Sequence, residues 1–177
     1  MLCRSINIDY IINTTPKRDI MNKSEFKKTQ LLQIFKRCKC MTIEDLCLSL
    51  NYSVRSVQRL LKAVGYFSSI THNGKWYTLQ DIPKFDNNGL WFYQGIGFSQ
   101  KRDLIATIRH LIDNSTKGLM ANDLSKILCT TCPPVLNELY KAKMINRVKT
   151  SKGFVYLSID RTGVHSQKVG LYFKYIF

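Results

Sequence analysis

Apolar side chains recur at helical spacing in two adjacent segments, residues 43–50 and 54–64. Thr42 precedes the first segment and Ser53 precedes the second. Both residue types are favoured N-caps, because their hydroxyl accepts a hydrogen bond from the first turn of a helix. Gly65 follows the second segment and is typical of a helix C-terminus. The pattern therefore predicts two short helices joined by a tight turn.

A β-hairpin is predicted directly after these helices. Strand-favouring segments at 67–71 and 75–79 flank a His-Asn-Gly turn at 72–74, and Asn-Gly is the strongest short-range hairpin signal. Another helical pattern, over residues 26–38, comes before the pair of helices. Three helices followed by a hairpin resemble the winged-helix branch of helix-turn-helix DNA-binding domains, and the stretch SVRSVQRLLK resembles their recognition helix. The resemblance implies a winged-helix fold and DNA binding.

The same order of parts recurs in the second half of the chain. Its predicted elements, in order, are a helix over 104–112 with Ser99 as a candidate cap, a helix over 119–128, a helix from near Pro134 to Lys143, and a hairpin with strands at 148–150 and 154–159. Such self-similarity indicates a tandem repeat. The sequence therefore predicts an α+β fold, mainly α, with two tandem winged helix-turn-helix domains joined by an aromatic strand or linker.

Breaks in the pattern divide the chain into five predicted segments. They are an N-terminal arm at 1–25, a first winged-helix domain at 26–85, a connector strand at 86–98, a second winged-helix domain at 99–160 and a C-terminal tail at 161–177. We expect Trp91 and Phe92 of the aromatic connector to pack in a core, with a base-stacking platform as the alternative. The apolar end of the tail is predicted to be a packed strand or a homodimer contact.

The helix at residues 54–64 is the predicted reading element of the first domain. At about 100° per residue, its apolar residues fall on one face and its basic and amide side chains on the opposite face. Arg forks to guanine or phosphate and Gln pairs with adenine in the major groove, although an ordinary solvated face has the same composition. The predicted DNA-binding residues of this domain are Ser53, Arg55, Ser56, Gln58, Arg59, Lys62, His72, Asn73 and Lys75.

The corresponding helix of the second domain has a different polar face. Its inward residues are predicted to be Val135, Leu136, Leu139 and Ala142, and its nearly neutral outer face consists of Pro134, Asn137, Glu138 and Lys141. The basic residues lie on the flanks instead, at Lys143 and on the hairpin. The predicted DNA-binding residues here are Thr130, Thr131, Asn137, Lys141, Arg147, Lys149 and Lys152. The second domain is therefore expected either to bind the DNA backbone, mainly through its hairpin (the wing), or to contact another protein. The sequence leaves both alternatives open.

The net charge of +15 and the pI near 9.7 make nucleic acid the first partner to consider and an anionic membrane the second. No apolar run approaches the roughly 18 residues of a spanning helix. No signal peptide is recognisable at the N-terminus. We therefore expect a cytoplasmic protein that binds double-stranded DNA and no membrane, and a homodimer stays open as a further partner.

Six cysteines raise the question of metal binding. Cys38 and Cys40 form one cluster, and Cys129 and Cys132 form another with the spacing of many zinc ligands, so that together they offer four thiolates. However, a CxC pair is less usual for zinc, and neither cluster lies on a glycine-bearing knuckle. We expect reduced thiols, with no metal and no cofactor, since a cytosolic setting disfavours disulfides.

Recognisable catalytic motifs are missing from the sequence. The three histidines, at 72, 110 and 165, have no partner at a catalytic spacing, and no glycine-rich phosphate-binding loop occurs. We therefore expect no enzyme activity. The leading hypothesis is a sequence-specific transcriptional regulator. The alternatives are a replication initiator or mobile-element accessory factor, and a structural adaptor that uses winged helices for protein contacts, although such adaptors tend to be acidic.

Overall fold

The computed structural model describes residues 23–176 of the protein, which divide into two compact units. In these residues the first unit contains 23–68 and 74–84, and the second contains Ser69–Asn73 and 85–176. About half of them are helical, and their strand pairs are antiparallel. The fold is therefore α+β. The predicted N-terminal arm lies outside the described residues, except for positions 23–25, which begin the first helix.

The first unit combines helices with a small sheet. Its elements, in chain order, are α1 (Lys23–Cys38), β1 (Met41–Thr42), α2 (Ile43–Leu50), α3 (Val54–Val64), β2 (Tyr66–Ser68) and β3 (Trp76–Leu79). The strands lie side by side in the order β1, β3, β2. Strand β1 escapes sequence-based prediction because two residues are too few to show the alternating pattern of a strand.

Helices α1, α2 and α3 share one core in this unit. Val57 and Leu61 of α3, Phe35 of α1 and Leu46 of α2 belong to the same buried cluster, and each is at most 1% exposed. Burying a side chain of this size stabilises the fold by about 1.5–3 kcal/mol. This burial fixes the rotation of α3 about its axis, so that its opposite face is left to solvent.

The second unit repeats this order of elements after an additional hairpin. Its elements, in chain order, are β4 (Leu90–Tyr93), β5 (Ile96–Ser99), α4 (Leu104–Asp113), β6 (Leu119–Met120), α5 (Ala121–Leu128), α6 (Pro133–Lys141), β7 (Asn146–Thr150), β8 (Gly153–Leu157) and α7 (Arg161–Ile176). Strands β4 and β5 pair with each other, and the second sheet has the order β6, β8, β7. From α4 to β8 the sequence of helices and strands matches that from α1 to β3.

The aromatic connector forms the hairpin β4–β5, so its prediction as one strand is wrong. Gln94 and Gly95 both adopt left-handed backbone conformations, with φ of 50° and 80°, and this lets the chain reverse in two residues. Glutamine is an unusual turn residue, which hides the turn from sequence analysis. Phe92 is exposed rather than in a core, whereas Phe98 is fully buried and the Trp91 ring lies 5.3 Å from it.

Two further local predictions, on Ser99 and Ala142, are wrong. Ser99 does not cap α4, because it ends β5 in the interior, where its hydroxyl accepts a hydrogen bond from Thr107 at 2.7 Å. Asp103 is the cap instead, and its carboxylate accepts a hydrogen bond from the Ala106 N–H at 2.7 Å. Ala142 is exposed, not inward, because α6 ends one residue before it.

The C-terminal tail forms helix α7, so its prediction as a packed strand is wrong. Leu171 of this helix lies in a buried cluster with Val155 and Leu157 of β8. The homodimer alternative for the tail stays a prediction. None of the helices in residues 23–176, α7 included, combines the length and apolar character needed to cross a bilayer.

A buried glutamine ties α7 to the rest of the second unit. Gln167 is 2% exposed. Its amide nitrogen donates to the carbonyls of Ile112 and Ser115 at 2.7 and 2.9 Å, and its amide oxygen accepts from the Ser158 N–H at 2.9 Å. One side chain therefore satisfies backbone groups at the end of α4 and just after β8.

Replacing Gln167 with alanine should destabilise the protein. We expect a loss of about 2–4 kcal/mol in the free energy of unfolding, because each buried polar group left unpaired costs about 1–3 kcal/mol. Urea denaturation followed by circular dichroism measures the change. Lys168→Ala is the control, since this neighbour is exposed and such substitutions change stability by less than about 0.5 kcal/mol. Equal midpoints for the two variants would contradict the structural role of Gln167.

Candidate nucleic-acid interface

Helices α2 and α3 begin at the predicted caps. The Thr42 hydroxyl accepts a hydrogen bond from the Asp45 N–H at 3.2 Å, and the Ser53 hydroxyl accepts one from the Ser56 N–H at 3.4 Å. The hydroxyls of Ser53 and Ser56 also lie 3.1 Å apart. Both serines were included among the predicted DNA-binding residues. In the structure they are engaged in starting α3, which leaves them at the N-terminal end of its polar face.

The polar face of α3 presents the four side chains that the helical pattern predicts. Arg55, Gln58, Arg59 and Lys62 are all exposed, on the side opposite the buried Val57 and Leu61. Among the described residues, no carboxylate forms an ion pair with any of these three cations. The described residues therefore do not neutralise these charges, which face solvent and are available to an external anion.

Helix α1 adds a cation near the turn that precedes α3, which sequence analysis does not detect. The Lys27 ammonium lies 4.4 Å from the centre of the Tyr52 ring, within the range of a cation–π contact. The Tyr52 hydroxyl donates to the Gln30 amide oxygen at 3.2 Å and so fixes the ring against α1. Lys27 and Tyr52 lie far apart in the sequence and on different elements, so no helical or strand spacing relates them and only the fold reveals this pair.

The hairpin of the first unit is shorter than predicted. Strand β2 ends at Ser68, because the next residues bond to β5 instead: Ile70 donates to the Gly97 carbonyl at 2.8 Å, and Gly97 donates to the Thr71 hydroxyl at 2.9 Å. The segment Ser69–Asn73 consequently belongs to the second unit.

The three DNA-binding residues predicted on that hairpin therefore fall in different units. His72 and Asn73 are exposed and adopt left-handed conformations, with φ of 52° and 54°, in the segment that belongs to the second unit. Lys75 is exposed in the first unit. The contiguous wing that the sequence predicts is thus replaced by a longer loop between β2 and β3.

Helix α6 has the nearly neutral outer face that the sequence predicts. Asn137, Glu138 and Lys141 are exposed, while Leu136 and Leu139 are buried. In the loop before α6, Thr131 is exposed, whereas the Thr130 N–H donates to the Ser125 carbonyl at 3.2 Å to close α5. The outer face of α6 thus offers one carboxylate and one ammonium where α3 offers three cations.

The hairpin β7–β8 presents two exposed lysines near a tight turn. Thr150 pairs with Gly153 in the strand register, and the Thr150 hydroxyl donates to the Gly153 carbonyl at 2.8 Å. The Lys152 N–H donates back to the same hydroxyl at 3.3 Å. Lys149 and Lys152 are exposed. Their backbone is therefore held by a closed set of hydrogen bonds while their ammonium groups face solvent.

Arg147 differs from these lysines because aromatic rings hold it. The central carbon of its guanidinium lies 3.9 Å from the centre of the Tyr140 ring and 4.3 Å from the centre of the Phe154 ring. Tyr140 comes from α6 and Phe154 from β8, and the two are 38% and 40% exposed. These two rings are site residues that sequence analysis misses, since they lie on separate elements.

Five of the six cysteines lie in the described part of the chain. No group of three or more His, Cys, Asp or Glu side chains within residues 23–176 is arranged to hold a metal ion. Cys132 is fully buried and Cys129 is exposed. Burial raises the pKa of the Cys132 thiol above its ordinary value, and a contact with the Ser125 side chain lowers it in part. Cys132 is therefore a neutral thiol near pH 7.

The two thiols of this CxxC pair should react at very different rates. We expect iodoacetamide to alkylate Cys129 under native conditions, and Cys132 only after unfolding, because the thiolate is the reactive form and burial disfavours it. Peptide mass spectrometry after timed labelling measures both sites in one sample. The contrary result is equal labelling, or protection of Cys129 that a chelator removes, since the latter indicates a metal-bound thiolate.

Comparison with known proteins gives no family for this chain. No protein-family model, curated protein or solved structure matches it. The exposed cations of α3 are therefore the feature of the described residues that bears most directly on function.

Proposed function

We propose that this protein binds double-stranded DNA in a sequence-specific manner and acts as a transcriptional regulator. In this proposal each unit is a winged helix-turn-helix domain, with α3 and α6 in the position of recognition helices. The repeated order of helix, strand, helix, helix and hairpin supports the proposal. The net charge of +15 supports nucleic acid as the partner, because phosphates attract a strongly basic protein.

The observation that carries the proposal is the outer face of α3. Arg55, Gln58 and Arg59 combine one amide with two guanidinium groups on a helix whose other face is buried. Arginine can bind guanine O6 and N7 with two hydrogen bonds, and glutamine can bind adenine N6 and N7 in the same way. An α-helix fits the major groove of B-DNA, so these side chains would reach base edges while Lys62 meets the backbone.

The second unit would contribute affinity more than base recognition. Glu138 on the outer face of α6 would repel phosphate, unless it accepted a hydrogen bond from a cytosine amino group. Its basic side chains are instead on the hairpin, where Lys149 and Lys152 are exposed. Such contacts go to phosphates, which are the same for every sequence.

Specificity should depend on α3 and not on α6. A preferred motif is first obtained by selecting bound DNA from a random library. Arg55→Ala and Arg59→Ala should each reduce the preference for that motif over scrambled DNA by roughly 5- to 150-fold, because a bidentate base contact is worth about 1–3 kcal/mol. Competition binding with the two DNAs measures the ratio for each variant, and circular dichroism confirms that both variants fold.

Asn137→Ala and Lys141→Ala are the matched controls on α6. They should change affinity modestly and leave the preferred motif unaltered, since their face is nearly neutral. If this pair removes discrimination and the α3 pair does not, the reading helix has been assigned to the wrong unit. If no motif is recovered from the library, sequence-specific binding itself is refuted.

The hairpin lysines should contribute to affinity without affecting the preferred sequence. Wild-type binding should weaken steeply with salt, with a slope of log K against log salt of about −0.9 for each phosphate contacted. Replacing Lys149 and Lys152 with alanine should weaken binding to all sequences alike and reduce the slope by about one per contact. A salt titration by fluorescence anisotropy measures both quantities. A wild-type slope near zero would exclude phosphate binding, and a shifted motif would show that the hairpin reads bases.

A further inference from the structure

We propose that Arg147 is a fixed phosphate-binding residue of the second unit and that Tyr140 and Phe154 are its positioning residues. This inference rests on the proposed function. It assigns the DNA backbone, rather than a protein partner, to the surface formed by α6 and the hairpin β7–β8. The sequence leaves that choice open, and the contacts of Arg147 favour one answer.

Two separate elements hold the Arg147 guanidinium. In the β7–β8 ladder Arg147 is directly opposite Tyr156, so Phe154 is its diagonal neighbour on the same face of the hairpin. Tyr140 reaches the same guanidinium from the last turn of α6. Both ring-to-guanidinium distances, 3.9 and 4.3 Å, are well inside the limit of about 6 Å for a cation–π contact. The side chain is thus restrained at its charged end.

Residues 23–176 leave the hydrogen-bond donors of Arg147 unused. Among the described residues, no acceptor or carboxylate bonds to its guanidinium, although Arg147 itself is half-buried. Contact with aromatic rings engages the charge of a guanidinium but leaves its N–H groups able to donate in the plane of the group. An arginine with a restrained position and unused donors is prepared for an external acceptor.

The surrounding charges select phosphate as that acceptor. The fork of an arginine matches two oxygens of a phosphate or a carboxylate. Lys149 and Lys152 are exposed on the same hairpin, and Lys143 is exposed in the loop after α6, against the single acidic residue Glu138 on α6. Several exposed cations on the hairpin and the neighbouring loop suit a chain of phosphates, whereas a protein partner would need a matching cluster of carboxylates. Tyrosine and arginine are common in protein interfaces too, so that alternative is kept as an outcome of the test.

Restraint of Arg147 should contribute to affinity separately from its charge. Immobilising a long side chain when it binds a ligand costs up to about 2 kcal/mol in rotamer entropy. Arg147 has already lost part of this rotamer freedom on folding, because the two rings restrain it. The lysines beside it must lose their freedom when they bind. Loss of the rings should therefore weaken DNA binding although every positive charge is kept.

The experiment compares the full-length wild type with five variants, using a DNA duplex of 20 to 30 base pairs as the probe and fluorescence anisotropy at several salt concentrations. Arg147→Ala should weaken binding and reduce the salt slope by about 0.9, the value for one phosphate contact. Tyr140→Leu and Phe154→Leu should each weaken binding by about two- to fivefold, the equivalent of one cation–π contact, without changing the slope. Tyr140→Phe and Phe154→Tyr keep a ring and should retain wild-type affinity.

The outcomes separate this inference from the proposed function on which it rests. If Arg147→Ala changes neither affinity nor slope while the α3 variants still lose their motif, the inference falls and the proposed function stands. If the leucine variants bind like wild type, the rings do not position Arg147. Circular dichroism checks that each variant is folded. Tyr140→Phe and Phe154→Tyr keep a ring at each position, so they show whether weaker binding follows from losing the ring rather than from losing the fold. A change in self-association by sedimentation velocity, with DNA binding unaltered, would assign the surface to protein contact instead.

Discussion

One left-handed residue ends the second helix of each repeat, and the placement of the helix that follows depends on it. Asn51 closes α2 with φ 52° and ψ 49°, and Cys129 closes α5 with φ 49° and ψ 37°. At each position two successive N–H groups donate to one carbonyl, that of Cys47 or of Ser125. Beyond this shared bond the two links differ, because an extended Ser53 precedes α3 whereas Cys132, in a helical conformation, precedes α6. A left-handed conformation costs about 1–2 kcal/mol for most residues other than glycine, and asparagine adopts it more readily, so the cost falls mainly on Cys129.

Helices α3 and α6 combine similarly buried inner faces with different outer faces. The inward positions are constrained alike, since Val57 and Leu61 of α3 and Leu136 and Leu139 of α6 are all nearly inaccessible to solvent. The outward positions contribute no packing, so their charge can change without loss of core stability. A cationic face on α3 and a nearly neutral one on α6 are therefore a difference in what each helix can bind. It also follows that a substitution on either outer face tests binding and not folding.

The order of the longer helices and of the hairpin in each repeat could be predicted from the sequence because it depends on local signals. Helical periodicity, the cap at Ser53 and the Asn-Gly turn each act within a few residues. Two of the failures occur where a distant segment competes for the same residues. Ser99 is a good cap in isolation, but the interior of the second unit takes its hydroxyl. Likewise, the sequence of residues 69–73 is compatible with a long hairpin. Hydrogen bonds between this segment and Gly97 place it in the second unit instead. Local sequence cannot rank such alternatives, because the deciding partner lies elsewhere in the chain.

The turn between β7 and β8 determines which side chains surround Arg147. Thr150 and Gly153 pair across the two-residue turn, and this fixes which β8 residues face Arg147. A slip of one residue would move every side chain of the strand to the opposite face. Arg147 would then face the apolar cluster under α7, which contains Val155 and Leu157, and its charge would be buried without a partner. The hydrogen bonds that close the turn therefore stabilise the hairpin and also set the register that places Arg147 next to two aromatic rings and in contact with solvent.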